Sequence, residues 1–255
     1  MLLAIDVGNT GMGLGVFEGE ELRATWRMAT SISRMPDEYA ALLLPLLNQE
    51  GFQTGDITDV CICSVVPPMI GTLENLFERY FKVNPLVVGA GTRTGVRIRM
   101  DNPREVGPDR IVHSAAAHHL YGGPLIIVDM GTATTFDTIS RDGEYTGGAI
   151  APGFQTAAEA LFTRTAMLPR VKLTRPAKAI GTNTIAAMQS GIVFGYIGLI
   201  EGMVNRIQKE LPAKAKVVAT GGYLDVIAKQ TSVVDEINPY LILIGLRLVY
   251  DMNKG

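Results

Sequence analysis

The sequence predicts an α/β protein made of two similar halves, and three observations carry that expectation. Apolar runs of strand length alternate with segments of helical spacing along the whole chain. The stretch LLAIDVGNT, from Leu2 to Thr10, returns in outline as LIIVDMGTA, from Leu125 to Ala133, close to the midpoint of the 255 residues. Finally, 47% of the residues are hydrophobic and 19% charged, which supplies material for a sizeable core and gives little sign of disorder.

The first half opens as strand, turn, strand and strand: MLLAIDVG, GMGLGVFEGEEL and EELRATWRMAT. PDEYAALLLPLLNQEG has helical spacing, with Pro36 and Asp37 in its first turn and Gly51 at its end. DVCICSVVP reads as a strand, PMIGTLENLFERYF as a helix, NPLVVG as a strand and GPDRIVHSAAAHHL as a helix entered through Gly107 and Pro108. The second half repeats the order: GPLIIVDMG, TATTFDTIS and GEYTGGAIAPG as strands, with a hairpin turn at Arg141–Asp142–Gly143. A helix over FQTAAEALFTRTAML follows, then a long helical stretch from Asn183 to about Leu211 whose Gly191, Gly195, Gly198 and Gly202 mark close helix packing or a break. AKVVATGG is then a strand, YLDVIAKQT a helix and NPYLILIGLRLVYDM a closing helix. The expected halves are 1–120 and 121–255.

Bulk properties narrow the function. A net charge of -2 and a pI near 6.0 argue against a dedicated nucleic-acid binder. Cys61 and Cys63 lie in a strand and share a face, so both fit as small core hydrophobes; a metal pair would need a second Cys/His cluster that the sequence lacks. Asp6 interrupts the N-terminal apolar run too early for a signal peptide. The most apolar stretch, GIVFGYIGLI, is short for a membrane span and contains three glycines, so a cytoplasmic protein is expected. No G-x-x-x-x-G-K-[ST] loop occurs, and GAGTRTG leads into strand-like VRIRM rather than a helix, which removes it as a dinucleotide fingerprint.

The repeated aspartates carry the chemistry. A strand that ends in Asp-x-Gly delivers one carboxylate to a turn where glycine lets a ligand approach the backbone. Asn9, Thr10, Thr132 and Thr134 add short donors. This combination suits hydrated Mg2+ carrying a polyphosphate, because Mg2+ keeps most of its waters and needs only one or two carboxylates. Two such turns would clamp the β- and γ-phosphates of ATP, with the glycine turn ATGGY (Ala219 to Tyr223) against the nucleotide at a helix N-terminus.

These motifs resemble the phosphate motifs of the acetate kinase, sugar kinase, Hsp70 and actin superfamily. More narrowly, IDVGNT, DNPREVGPDRIV, VDMGTATTFD, GGAIAPG, IGTNTIAAMQSG and ATGGY, in that order, resemble the type III pantothenate kinases. The resemblance implies duplicated actin-like (ribonuclease H-like) domains, mixed β-sheets flanked by helices and an active site in the cleft between them. It implies ATP-dependent phosphorylation of pantothenate, the first step towards coenzyme A, by a homodimer. By matching motif, Asp6, Val7, Gly8, Asn9, Thr10, Gly11, Met12 and Gly13 would hold ATP with Thr132, and Asp6 would hold Mg2+ through water. Asp129 would bind a monovalent cation, K+ or NH4+. Gly107, Pro108, Asp109, Arg110 and Thr184 would contact pantothenate, with Asp109 the proton acceptor. Met100 stands where the family tends to have an aromatic residue, so acceptor affinity or tolerance is expected to differ.

Read without the resemblance, Asp109 in the first turn of a helix is an acidic residue serving the helix dipole. His113, His118 and His119 share that helix and read as solvent or packing residues. Two rival functions remain at this level: a kinase of the same superfamily acting on a sugar or N-acetylhexosamine, and a non-catalytic ATP-binding regulator touching nucleic acid. The second draws on the acid-free basic run Arg164, Arg170, Lys172, Arg175 and Lys178, which lacks interleaved aromatics for base stacking.

Overall fold

The computed structural model describes residues 1–254. Two compact units share the chain, and they divide it differently from the single cut expected after residue 120. The first contains Met1–Val96, Asn102–Ala116 and the chain from Leu241 on; the second contains Arg97–Asp101 and Ala117–Tyr240.

In the first unit, β1 (Leu2–Val7), β2 (Gly11–Glu18), β3 (Glu21–Ala29), β4 (Asp59–Ser64) and β5 (Leu86–Val87) form a sheet in the order β3-β2-β1-β4-β5. β1 pairs antiparallel with β2 and parallel with β4. Its near-continuous apolar sequence follows from cover on both faces. Leu3, Ile5 and Val7 pack into one core with α1 (Pro36–Gln49) and α2 (Pro67–Phe81), while Leu2 and Ala4 pack into another with Cys61, Cys63, Val112 and α6 (Leu241–Asn253). α6 returns to this unit because Leu241, Leu246 and Val249 are fully buried on it, each worth about 1.5–3 kcal/mol of apolar burial. Close approach is possible because a side chain is missing: a Cβ on Gly245 would lie 2.3 Å from the Val112 carbonyl oxygen of α3 (Pro108–Tyr121). The unit boundary falls within α3, between Ala116 and Ala117.

The second unit repeats the topology. β6 (Leu125–Met130), β7 (Ala133–Ile139), β8 (Tyr145–Pro152), β9 (Lys216–Gly221) and β10 (Glu236–Ile237) lie in the order β10-β9-β6-β7-β8. β6 is antiparallel to β7 and parallel to β9, as β1 is to β2 and β4. Ile126, Val128 and Met130 pack under α4 (Phe154–Arg164) and α5 (Thr184–Glu210). The Asn183 side chain caps α5 by accepting from the Ala186 N–H at 2.9 Å.

Four expectations change. YLDVIAKQT is not a helix: it runs as turns ending in a 3-10 turn at Ala228–Gln230. Tyr223 enters at φ 56°, and burial of Ile227 and Ala228 pulls so short a segment onto the core before a helix can nucleate. The ATGGY turn therefore has no helix N-terminus behind it. VRIRM makes only an isolated bridge from Ile98 to Tyr145. α5 is unbroken, and a Cβ added at Gly191, Gly195 or Gly198 would meet no protein atom within 4 Å, so within this chain these glycines mark neither a break nor a close packing. GIVFGYIGLI, short for a membrane span by itself, lies inside this 27-residue helix, the one helix among the described residues long and apolar enough to cross a membrane by length and composition. Met188, Ile192, Val193, Tyr196 and Ile200 instead face the unit's core.

Cys61 and Cys63 are both fully buried, on the face of the sheet under α6. Burial pushes the Cys61 thiol up to about 12. Cys63 is raised well above the usual thiol range, first by burial, then by the negative charges of Asp6 and Asp109. In the native state both thiols should resist alkylation at pH 8 and both should react on unfolding, as mass spectrometry can count. Because the unfolded thiols ionise from about pH 8.5 while the folded ones stay protonated, their stabilisation is complete below that pH and declines above it. A thermal-melting series should thus fall more steeply above about pH 8.5 than in a Cys61→Ala/Cys63→Ala variant.

Candidate active site

Asp6 and Asp129 occupy the same place in their units. Each is fifth in a six-residue strand, and each is the one residue of that strand that is not buried. The register explains what surrounds them. Asp6 pairs with Gly13 on β2 and with Cys63 on β4, and Gly13 pairs in turn with Arg27 on β3. Cross-strand partners share a face, so Arg27, Gly13, Asp6 and Cys63 form one row across the sheet. A Cβ on Gly13 would meet nothing within 4 Å, leaving open space beside the Asp6 carboxylate.

Val7 and Met12 are buried and anchor the two ends of the β1–β2 turn, whose tip, Asn9 and Thr10, is exposed. Gly8 N–H donates to the Gly11 carbonyl at 3.0 Å, which narrows the hairpin, and a Cβ on Gly8 would lie 3.0 Å from that same oxygen. The turn thus presents backbone and short polar side chains rather than bulk, the arrangement that accommodates phosphate oxygens.

Asp109 stands in the first turn of α3, within the same unit. Its carboxylate accepts from the Arg110 N–H at 2.9 Å, and the Gly107 carbonyl accepts from the Arg110 N–H at 3.1 Å and from the Ile111 N–H at 3.4 Å. A Cβ on Gly107 would sit 2.4 Å from Asp109 Oδ1. Asp6 and Asp109 both raise the thiol of Cys63, so the two carboxylates lie within electrostatic reach of one buried sulfur. Pro108 at the helix start fixes φ where a backbone donor would have no partner.

In the second unit, Asp129 is walled by a glycine turn. A Cβ on Gly221 would lie 2.5 Å from Asp129 Oδ1 and 2.7 Å from both N and O of Met130. Gly221 has φ +93°, and Gly222 N–H donates to the Met130 carbonyl at 2.8 Å. Thr132 is exposed at the β6–β7 turn, where its carbonyl accepts from Gly153 N–H at 3.0 Å and from the Thr156 hydroxyl at 2.8 Å. Thr134 is not at the turn surface: it is buried against the Tyr196 hydroxyl at 2.6 Å, and that hydroxyl also bonds the Pro152 carbonyl. The ATGGY turn contributes Tyr223, whose ring meets Phe154 edge-on at 5.0 Å and whose hydroxyl donates to Gln155 at 2.6 Å.

Met100 and Thr184 lie in different places within this unit. Met100 Sδ is 3.5 Å from where a Cβ on Gly147 of β8 would stand. Thr184, the first residue of α5, lines an apolar cavity of about 780 Å3 with Leu161, Met188, Ile192, Tyr196 and Leu199, and Met100 is not among its walls. His113 is buried, and His118 Nε2 lies 3.1 Å from the Arg141 carbonyl. Arg27 joins the candidate site only through strand register.

A family model described as type III pantothenate kinase matches residues 2–206. Type III pantothenate kinase of Dehalococcoides mccartyi strain CBDB1 is 58% identical over 253 residues, 99% of this chain and 96% of that protein. The protein of the same name from strain ATCC BAA-2266 is 56% identical over 254 residues, 100% of this chain and 98% of its own. Among solved structures, a conserved putative Baf family transcriptional activator from Campylobacter jejuni superposes with a TM-score of 0.63 at 19% identity, covering 98% of both chains. A putative 2-dehydro-3-deoxygalactonokinase from Sinorhizobium meliloti gives 0.60 at 13% identity, covering 98% of this chain and 96% of the other. The fold is the duplicated actin-like one: two mixed sheets flanked by helices.

The two crowded glycines should respond differently to alanine. At Gly107 the colliding atom is the end of a side chain, so Gly107→Ala should displace the Asp109 carboxylate with the melting temperature nearly unchanged, and its turnover then reads what that carboxylate does. At Gly221 the collisions are with backbone and φ is positive, so Gly221→Ala should lower the melting temperature by about 5 °C or more. Calorimetry and a coupled ADP assay on both variants check the contrast.

Proposed function

Because the chain belongs to the type III pantothenate kinase family, and so phosphorylates pantothenate with ATP in the first step of coenzyme A biosynthesis, we propose the following division of labour among its residues. The β1–β2 turn, from Asp6 to Gly13, holds the phosphates of ATP, and Thr132 holds the nucleotide. Asp109 orients the pantothenate hydroxyl and takes its proton as 4'-phosphopantothenate forms. The observation that supports this reading is that one unit holds both the β1–β2 turn with Asp6 and the first turn of α3 with Asp109, each carboxylate near enough to raise the Cys63 thiol.

The Arg110 N–H holds the Asp109 carboxylate in place at the start of α3. That suits phosphoryl transfer, whose loose transition state needs an oriented hydroxyl more than early deprotonation. Arg110 offers a planar fork for the carboxylate of pantothenate. Gly107, Pro108 and Thr184 complete the acceptor contacts, and Met100 replaces a hydrogen-bonding side chain with a flexible thioether.

A kinase of this family uses a divalent metal with ATP. Mg2+ fits the donors present: among the described residues no cluster of three or more His, Cys, Asp or Glu could cage a metal, and Mg2+ needs none, since phosphates and water supply most of its ligands. Asp6 would hold it through water. Asp129, set against the Gly221 backbone where a Cβ would collide with its carboxylate, fits a monovalent cation such as K+ or NH4+. Bound at these carboxylates, such cations would supply positive charge for phosphoryl transfer.

We also assign the enzyme to the cytoplasm and to a homodimer. Support for the dimer comes from α5: Gly191, Gly195 and Gly198 are exposed on the helix, Gly191 and Gly195 along the apolar cavity, a profile that suits close approach of a second chain. Glycine in an exposed helix costs about 0.5–1 kcal/mol relative to alanine, a cost that an interface would offset. Gly195→Gln should therefore convert dimer to monomer in light scattering at low micromolar protein while keeping native circular dichroism. A dimer unchanged by the substitution would remove α5 as the interface.

For the chemistry, ADP release with ATP, Mg2+ and pantothenate should be faster with K+ or NH4+ than with Na+ as sole monovalent cation. Asp109→Asn should lower kcat by about a hundredfold or more at unchanged KM for ATP. Near-normal turnover at saturating substrate would end the assignment of Asp109 as base.

A further inference from the structure

Two residues that no motif contains close the third side of the β1–β2 turn. Thr30 follows the last residue of β3. Its N–H donates to the Thr10 carbonyl at 3.2 Å, and its hydroxyl donates to the Gly8 carbonyl at 2.7 Å. One side chain and its own amide thus grip the turn on either side of Asn9. The neighbouring residue is fixed just as firmly. Tyr39, fully buried on α1, accepts at its hydroxyl from the Ser31 N–H at 2.9 Å and donates to the Ser31 carbonyl at 3.1 Å. The same hydroxyl lies 4.0 Å from Met69 Sδ of α2, and the Tyr39 ring belongs to the core that packs under β1.

We propose that Thr30, braced through Ser31 by Tyr39, is a positioning residue that presets the turn for the phosphates of ATP. The peptide bonds of the turn are trans, and in a planar trans peptide the C=O and the N–H point in opposite directions. Holding the Gly8 and Thr10 carbonyls towards Thr30 therefore turns the N–H groups of Asn9 and Gly11 away from it. Backbone amides aligned in this way are the donors that bind phosphate oxygens. Without the latch, a turn with two glycines among its four residues would sample other peptide orientations, and ATP binding would carry the cost of ordering it. Tyr39 extends the device: the hydroxyl that fixes Ser31 is seated in the rigid core, so the turn is referenced to α1 and α2 rather than to the edge strand alone.

The inference rests on the reading that this turn holds ATP, and the test separates the two. Steady-state KM for ATP and for pantothenate, with melting temperature, would be measured for Thr30→Val, Thr30→Ser, Tyr39→Phe and Asp6→Asn. Thr30→Val keeps shape and loses the hydroxyl; it should raise KM for ATP about three- to tenfold, the range expected for one lost hydrogen bond, with KM for pantothenate unchanged. Thr30→Ser, which restores the donor, should return KM for ATP to within about twofold of the parent. Tyr39→Phe should shift KM for ATP in the same direction as Thr30→Val, although it lies outside the turn. The proposal is overturned if Thr30→Val leaves KM for ATP unchanged, if both KM values rise together with a lowered melting temperature, or if Thr30→Ser is as impaired as Thr30→Val. Should Asp6→Asn weaken ATP while Thr30→Val does not, the latch falls and the phosphate turn stands. If neither changes KM for ATP, the phosphate turn is wrong and the latch falls with it.

Discussion

A carboxylate cannot be left in the middle of a strand that is covered on both faces. Moving an isolated charge into such an interior costs several kcal/mol even after relaxation, so β1 and β6 can carry Asp6 and Asp129 only where the cover ends. Both strands meet this constraint in the same way, with four buried residues, then the half-exposed aspartate, then one more buried residue before the turn. The sheet order follows around them: antiparallel hairpins on one side to build the turn, a parallel strand on the other to seal the core.

What each aspartate can do is then decided by missing side chains. Gly13 leaves volume beside Asp6, whereas Gly221 brings backbone directly against Asp129. One carboxylate thus faces open space, and the other has main chain against one side. Gly107 does for Asp109 what Gly221 does for Asp129, but against a side chain that can rotate.

The two halves share a topology and diverge in their helices. The first gains α6 from the far end of the chain, and α6 with α3 covers the second face of its sheet, burying both cysteines and bringing Asp109 to the same face as Asp6. The second half inserts the long α5, whose buried side completes its core and whose glycine-bearing side stays open. The duplicated fold supplies two equivalent carboxylate turns, and different helices give each its own surroundings.

Much of this was legible in local sequence. Strand and helix alternation, the repeated Asp-x-Gly turns, Pro108 opening a helix and the inward-facing cysteines all depend on contacts within a few residues, where spacing carries the signal. Long-range packing decided the rest. Residues 223–231 have helical spacing, yet burial of Ile227 and Ala228 and the left-handed Tyr223 make them a turn. The stripe of Gly191, Gly195 and Gly198 has the composition of a break, but a helix anchored along its other side by Val193, Ile197 and Ile200 tolerates it. Thr30 reaches Gly8 across 22 residues through strand register, and α6 joins the first unit because of surface buried there. The sequence by itself determined which residues carry charge, which turns are tight and which family the chain resembles, since these are written in neighbouring letters. Only the tertiary structure decided which carboxylates share a face, which glycines border empty space and what holds the β1–β2 turn in shape, because each depends on atoms that meet only once the sheets are built.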